Sequence, residues 1–173
     1  MAKVVFSGRH LKILEETLDM RGRKKTLLSE VKSDTVFVVA RLPNGKLLTE
    51  RHYRPRIRKY LTEFVSGYIN DNEKPMHAAV RELEEETGYV AGELRHLATI
   101  FGSPGWGRQR WHFFYATKLR KGRQGMDPDE VLTVKEASPS AVRGMMARHE
   151  LRDPASLLLF FFYSCYVKKG RYP

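Results

Sequence analysis

The chain has 173 residues, 42% of them apolar and 29% charged, the size and composition of one globular domain, which excludes a disordered or low-complexity protein. Its single cysteine, Cys165, excludes an intrachain disulfide and a cysteine-based zinc site, so a reducing compartment, the cytoplasm, is expected. Lysines and arginines exceed acids by 31 − 20, a net charge of +11 that speeds encounter with anionic partners.

In chain order, no secretory leader is expected, because polar residues follow Phe6 at once. Residues 3–6, 10–18 and 25–31 read as strands of a small antiparallel sheet, separated by Ser-Gly and Arg-Gly-Arg. Residues 34–40 and 47–52 flank Pro43-Asn44-Gly45-Lys46, a turn signal that predicts a hairpin. Residues 61–67 read as one short strand and 75–86 as a helix with Pro75 at its first position and Gly88 just past its end. Strands are predicted at 94–102, 110–119 and 131–135, then a helix at 138–149. His112 reads as an exposed position of its strand. The apolar run 157–167 is too short to span a membrane and reads as a buried helix, with Asp153 as its cap, Pro154 at its start, and Lys168, Lys169 and Gly170 as its stop. No membrane partner is expected. Pattern alone gives an α+β fold.

The chemistry concentrates in Gly67-Tyr68-Ile69-Asn70-Asp71-Asn72-Glu73 and in Arg81-Glu82-Leu83-Glu84-Glu85-Glu86-Thr87-Gly88-Tyr89. On a helix Glu82, Glu85 and Glu86 fall at i, i+3 and i+4, about 5–6 Å apart, so three carboxylates share a face and repel. A cation must compensate. Oxygen-rich clusters suit hard divalent ions, Mg²⁺ or Mn²⁺. The basic residues are scattered in short groups (21–25, 51–59, 118–123 and 168–171), which argues against a nucleic-acid partner without excluding one.

The spacing of these residues resembles the Nudix box, G-x5-E-x7-R-E-U-x-E-E-x-G-U, with every fixed position filled. The resemblance implies a mixed β-sheet sandwiched between helices, with residues 1–33 as a dimerising N-terminal antiparallel sheet and 34–173 as the Nudix hydrolase domain. Glu50-Arg51-His52-Tyr53-Arg54-Pro55 is similar to the R-Q-Y-R-P stretch of the ADP-ribose pyrophosphatase branch. Ser103-Pro104-Gly105-Trp106 is similar to its S-P-G-aromatic loop, and Pro104 stands fifteen residues after Tyr89. The branch implies Mg²⁺-dependent cleavage of ADP-ribose to AMP and ribose 5-phosphate by a homodimer.

By the same resemblance, Glu82 and Glu86 would be the principal metal ligands, with Glu85 and the Ser66 carbonyl completing the set. Arg81 would hold Glu73 or Glu85 in place. Glu130 in the late acidic loop 126–130 is the first candidate for general base, Asp129 the second, with the box glutamate Glu85 also a catalytic candidate. Arg54 would contact phosphate or ribose, and Tyr53, Pro104 and Trp106 the nucleoside. Two departures stand out. Ser66 precedes Gly67 in a leader that lacks the usual proline, and Gly107-Arg108-Gln109-Arg110 stands where Ser-Asp-Glu is frequent. The alternatives are a Nudix hydrolase of another nucleoside diphosphate sugar, of a nucleotide cofactor or of RNA 5′ ends, or a nucleotide-binding sensor without turnover.

Overall fold

The computed structural model describes residues 2–126 and 128–169. Three antiparallel strands, β1 (Ala2–Ser7), β2 (Leu11–Asp19) and β3 (Lys24–Lys32), form the expected N-terminal sheet in the order β1-β2-β3. Its outer strand β1 is exposed along its whole length. The central sheet contains β4 (Thr35–Ala40), β7 (Val65–Tyr68), β9 (Glu93–Phe101) and β10 (Arg110–Thr117) in the order β7-β4-β10-β9. It is mixed, because β10 runs parallel to β4 and the other pairs are antiparallel. A third sheet has the order β12-β5-β6, from β5 (Leu47–Arg54), β6 (Lys59–Glu63) and β12 (Leu132–Ala137). A two-residue ribbon, β8 (Tyr89–Val90) with β11 (Arg120–Lys121), closes the end of the first helix.

The central sheet separates two apolar layers. The sequence of β4, Thr-Val-Phe-Val-Val-Ala, is apolar on both faces because both faces are covered. On one side Val36, Val38 and Ala40 pack against Ala78, Ala79 and Leu83 of α1 (Pro75–Thr87), whose alanines let the helix approach closely. On the other, Phe37, Val39, Phe113 and Tyr115 pack against Leu159, Phe160 and Tyr163 of α3 (Pro154–Lys169). α2 (Pro139–Ala147) adds Val142 to this layer. The helices thus sandwich a mixed sheet, the predicted α+β architecture. Asp153 caps α3, accepting from the Ser156 N–H at 2.7 Å. Gly170, expected as its stop, lies outside the described residues.

Three expectations are corrected. The turn at Pro43–Lys46 forms, but β4 and β5 share a single bridge, Arg41 to Leu47, and then part into different sheets, where β7 and β10 flank β4 while β6 and β12 flank β5. The strand read at 61–67 is two strands, β6 and β7, in two sheets. At the break the Phe64 N–H donates to Ser156 Oγ of α3 at 3.1 Å, and the Phe64 ring stacks on Phe160, so α3 takes over what strand pairing gives up. His112 is buried, because alternation along β10 turns it to the α1 side with Phe114. Its Nδ1 shares a hydrogen bond with Thr99 Oγ1 at 3.0 Å, and its Nε2 lies 3.7 Å from Asp34.

Candidate active site

The helix α1 turns one stripe to the sheet. Ala79, Leu83 and Glu86, at i, i+4 and i+7, face the sheet, and Glu82 lies beside them one turn before Glu86. A carboxylate therefore sits on the buried stripe, where the central sheet ends at Ser66 and Gly67. Glu86 is 1% exposed and accepts from the Ser66 N–H at 3.2 Å. Gly67 is glycine for a steric reason: a Cβ there would stand 1.9 Å from the carboxyl carbon of Glu82 and 2.0 and 2.3 Å from its oxygens. Gly88 ends the helix with φ 70°, its N–H bonded to Glu84 O. Lys74 at the other end makes no side-chain cap. The Gln124 side chain and Gly125 N–H cover the carbonyls of Glu86 and Glu85, tying the late loop to the helix end.

Arg81 organises the acids. Its Nε and Nη2 hold Glu73 at 3.0 and 2.9 Å, its Nη1 holds Glu82 at 2.7 Å and Glu85 at 3.0 Å, and Nη2 also donates to Tyr68 O at 3.0 Å. These bonds use every guanidinium N–H, which only arginine can supply in one planar fork. Both expected partners, Glu73 and Glu85, are engaged, and Glu82 with them. Arg81 holds Glu73 below the ordinary carboxylate range. Burial nonetheless pushes Glu82 up to about 7 against the pull of Arg81.

A further acid, Glu50 on β5, meets this group from the neighbouring sheet. It is 1% exposed, and its Oε1 is buried with no hydrogen-bond partner. Burial pushes Glu50 up to about 8, and burial with Glu50 beside it pushes Glu86 well above its usual value. The sequence pattern assigns Glu50 no role. The signal was its register: Leu48, Glu50 and His52 alternate onto the inward face of β5, where a charge needs a reason. The next inward residue, Arg54, is held by buried Glu63 through Nε and Nη2. Burial, then Arg54, pushes His52 down to about 4.

A cleft of about 490 Å³ opens over these groups, lined by Glu82, Glu85, Ser66, Gly67, Arg81, Arg54 and Glu130. The structure thus brings together most of the expected site residues. Asp129 is exposed outside the cleft, and Asp127 of the same loop lies outside the described residues. Tyr53, Pro104 and Trp106 do not line it. Tyr53 packs on Tyr60, Pro104 is exposed, and Trp106, 72% exposed, borders an apolar groove with Ile13 and Leu28 of the N-terminal sheet. The cleft's aromatic wall is instead Phe37, Tyr68 and Trp111, and Arg9, His10 and Lys32 of the N-terminal sheet reach it, His10 stacking on Tyr68 at 4.5 Å. No periodic signal marks residues that arrive from a separate sheet. Of the divergent stretch, Arg108 pairs with Glu16 and Arg110 with Asp34, so only Gln109 faces the cleft.

The donor set suits a hard divalent cation. Glu50 and Glu86 are buried against each other, Glu86 accepts from the Ser66 N–H, Glu50 keeps one oxygen without a partner, and Arg81 reaches neither. Among the described residues no three carboxylates converge ready-made on one point, since Glu82 and Glu85 turn to Arg81.

The model of the NUDIX domain matches residues 31–159. An ADP-ribose pyrophosphatase of Bacillus subtilis (strain 168) is 28% identical over 86% of this chain and 82% of its own. A methanol dehydrogenase activator of Bacillus methanolicus is 30% identical over 76% and 73%. A GDP-mannose pyrophosphatase of Klebsiella pneumoniae is 36% identical over 57% and 51%. A crystal structure of an ADP compounds hydrolase superposes with a TM-score of 0.86 over 98% of this chain and 93% of that one at 19% identity, which establishes the shared fold. Hydrolases of this family generally use divalent metals. With a matching domain over most of its length and an intact carboxylate cluster at the end of its central sheet, the chain belongs to the NUDIX domain family and is a Nudix hydrolase.

Proposed function

We propose that the protein is a Mg²⁺-dependent pyrophosphohydrolase that cleaves the diphosphate of ADP-ribose to AMP and ribose 5-phosphate. The observation that carries this reading is the composition of this cleft: carboxylates on its floor, Arg54 and Arg9 on its walls, and Phe37, Tyr68 and Trp111 beside them. Its volume suits a small nucleotide rather than a polymer. Cations favour the phosphates, an aromatic face favours the base, and acids serve proton transfer. A divalent cation, Mg²⁺ or Mn²⁺, held by Glu82, Glu86, Glu85, Glu50 and the Ser66 carbonyl, would supply Lewis-acid charge and an acidified water. Arg81 keeps Glu82 and Glu85 in one orientation through the reaction. Glu130, which lines the same cleft as Glu82, accepts the proton of the attacking water, with Asp129 the second choice. Arg54, fixed by Glu63, presents its remaining N–H donors to phosphate. The phosphorus–oxygen bond to the bridging oxygen breaks and leaves two phosphomonoesters.

The dimerising role of residues 1–33 forms part of this proposal. Exposed Phe6 on β1, opposite Ile13, and the apolar groove of Ile13, Leu28 and Trp106 form a surface suited to a second copy. Pro104 and Trp106 would then lie in the contact. Light scattering on the parent and on Trp106→Ala should give dimer and monomer masses, and a monomeric parent would remove this part. For a second substrate reading, a related nucleoside diphosphate sugar such as GDP-mannose, the favouring observation is the neutral Gln109 at the cleft wall.

The test of the whole reading is product analysis after incubation with Mg²⁺ and, separately, ADP-ribose, GDP-mannose, NADH, a diadenosine polyphosphate and triphosphorylated RNA. Preferential formation of AMP from ADP-ribose supports it. Preference for another substrate reassigns the pocket. Tight binding with no turnover of any would make the protein a sensor.

A further inference from the structure

The β5–β6 hairpin carries charge that hydrolysis does not use. The inward face of β5 belongs to the site, so Arg51 and Tyr53 face away from it. The register sets Tyr53 opposite Tyr60 and Arg51 opposite Thr62 on β6 and Thr133 on β12. Arg51, Tyr60 and Thr133 are exposed on this outer face. The hairpin tip adjoins it. Arg56, Ile57, Arg58 and Lys59 are all exposed, and Arg58 turns the chain with φ 52°. Among the described residues no acid pairs with Arg51, Arg56, Arg58 or Lys59, whereas Arg54, one residue before the turn, is committed to Glu63. The Arg51 guanidinium lies 4.1 Å over the Tyr60 ring, which keeps 47% of its surface exposed, and Ile57 beside it is 52% exposed.

We propose that this hairpin is a docking surface for a single-stranded polynucleotide, whose phosphates meet Arg51, Arg56, Arg58 and Lys59 and one of whose bases stacks on Tyr60. The sequence scatters its basic residues, but folding sets Arg51 over the exposed Tyr60 ring and leaves Arg56, Arg58 and Lys59 exposed at the adjoining tip, the pairing of cations with a stacking platform that non-sequence-specific single-strand binding uses. An unpaired cation cluster costs self-repulsion that an extended polyanion relieves by releasing its counterions. One exposed isoleucine offers too little apolar area for membrane insertion, so a lipid surface is disfavoured. The inference stands apart from the hydrolytic reading and is tested without divalent metal.

The experiment is fluorescence anisotropy with a fluorescein-labelled oligouridylate in EDTA, between about 50 and 200 mM salt. The parent should bind with Kd in the micromolar range at the lower salt. The variant Arg56→Gln/Arg58→Asn/Lys59→Gln, with Asn chosen because position 58 has positive φ, should weaken binding at least about tenfold and flatten the log–log salt slope by about 2, at ~0.7 per cation. Tyr60→Leu should weaken it about fivefold or more with the slope unchanged. The matched control Arg21→Asn/Arg23→Gln/Lys24→Gln removes three charges from the β2–β3 turn and should stay within about twofold of the parent on the same scale. The proposal is overturned if the parent does not bind at the lower salt, if the hairpin variant binds like the parent, or if the control loses as much, which would reduce the effect to net charge. It is also overturned if phosphatidylserine vesicles bind more tightly than the oligonucleotide and compete with it.

Discussion

Replacing Gly67 by alanine separates the chemistry from the fold. A Cβ at this position would lie 1.9 Å from the Glu82 carboxyl carbon, whereas ordinary contact begins near 3.4 Å, so the carboxylate must retreat by at least 3.4 − 1.9, about 1.5 Å. The retreat breaks the 2.7 Å bond to Arg81 Nη1 and takes Glu82 off the Ser66–Gly67 edge. A misplacement of about 1 Å in such a site costs on the order of 10²-fold in rate, so kcat for ADP-ribose at saturating Mg²⁺ should fall at least that far. Stability should change little. The clashing atoms are the far end of a flexible side chain, Gly67 has no positive φ, and glycine to alanine at a compatible position gains about 0.4–1 kcal/mol. Steady-state kinetics over a Mg²⁺ titration, beside thermal melts without metal, read both halves. A variant with parental kcat and a parental melt would refute the claim that Gly67 is needed for Glu82.

Glu86→Gln should keep the fold and lose several orders of magnitude in turnover, and its metal-free Tm should rise because a buried charge is gone, which a melt in EDTA checks. Arg81→Lys supplies one ammonium where a fork meets Glu73, Glu82 and Glu85, and should cost at least about tenfold in kcat and a few °C in Tm, read by kinetics and calorimetry. Burial holds His112 below its ordinary 6.5, so the folded protein binds fewer protons there than the unfolded chain. Its contribution to stability is full above pH 6.5 and is lost as pH falls. His112→Gln should flatten the fall in urea midpoint from pH 7.5 to 5.5, and an unchanged pH slope would count against the assignment. Asp153→Ala removes the cap of α3 and should destabilise by about 1 kcal/mol in urea unfolding, with kcat unchanged.

What the sequence made legible was whatever local spacing controls. Helix periodicity placed Glu82, Glu85 and Glu86, and Pro75, Gly88 and Asp153 marked helix ends, because capping is settled within a turn. Strand partners were less legible, since pairing is decided by packing far away in the chain. The Asn44-Gly45 turn forms, but sheet geometry overrides its hairpin. The break at Phe64 depends on Ser156, 92 residues on. Glu50 shows an intermediate case: its inward register was visible, but its meeting with Glu86 required knowing that the third sheet abuts α1. The N-terminal residues at the cleft, Arg9, His10 and Lys32, carried no local signal at all.

On the proposed function, the charge distribution of this cleft calls for a cation. Arg81 balances Glu73, Glu82 and Glu85 only in part, and Glu63 pairs with Arg54, so each floor acid that ionises adds negative charge beneath a bound diphosphate. A dianionic diphosphate brought onto that floor meets like charges in a half-buried site, where effective dielectric is far below that of water and each pair at 4 Å costs about 4 kcal/mol. Arg9 at the wall offsets part of one such term. The remainder must be cancelled by positive charge between substrate and floor, where Glu50 keeps an unbonded oxygen and Glu86 faces it. On the proposed function, the unsatisfied acids that cost the fold stability would be the ones that make substrate binding conditional on a divalent ion, and the arginine clamp would fix where that ion's ligands stand.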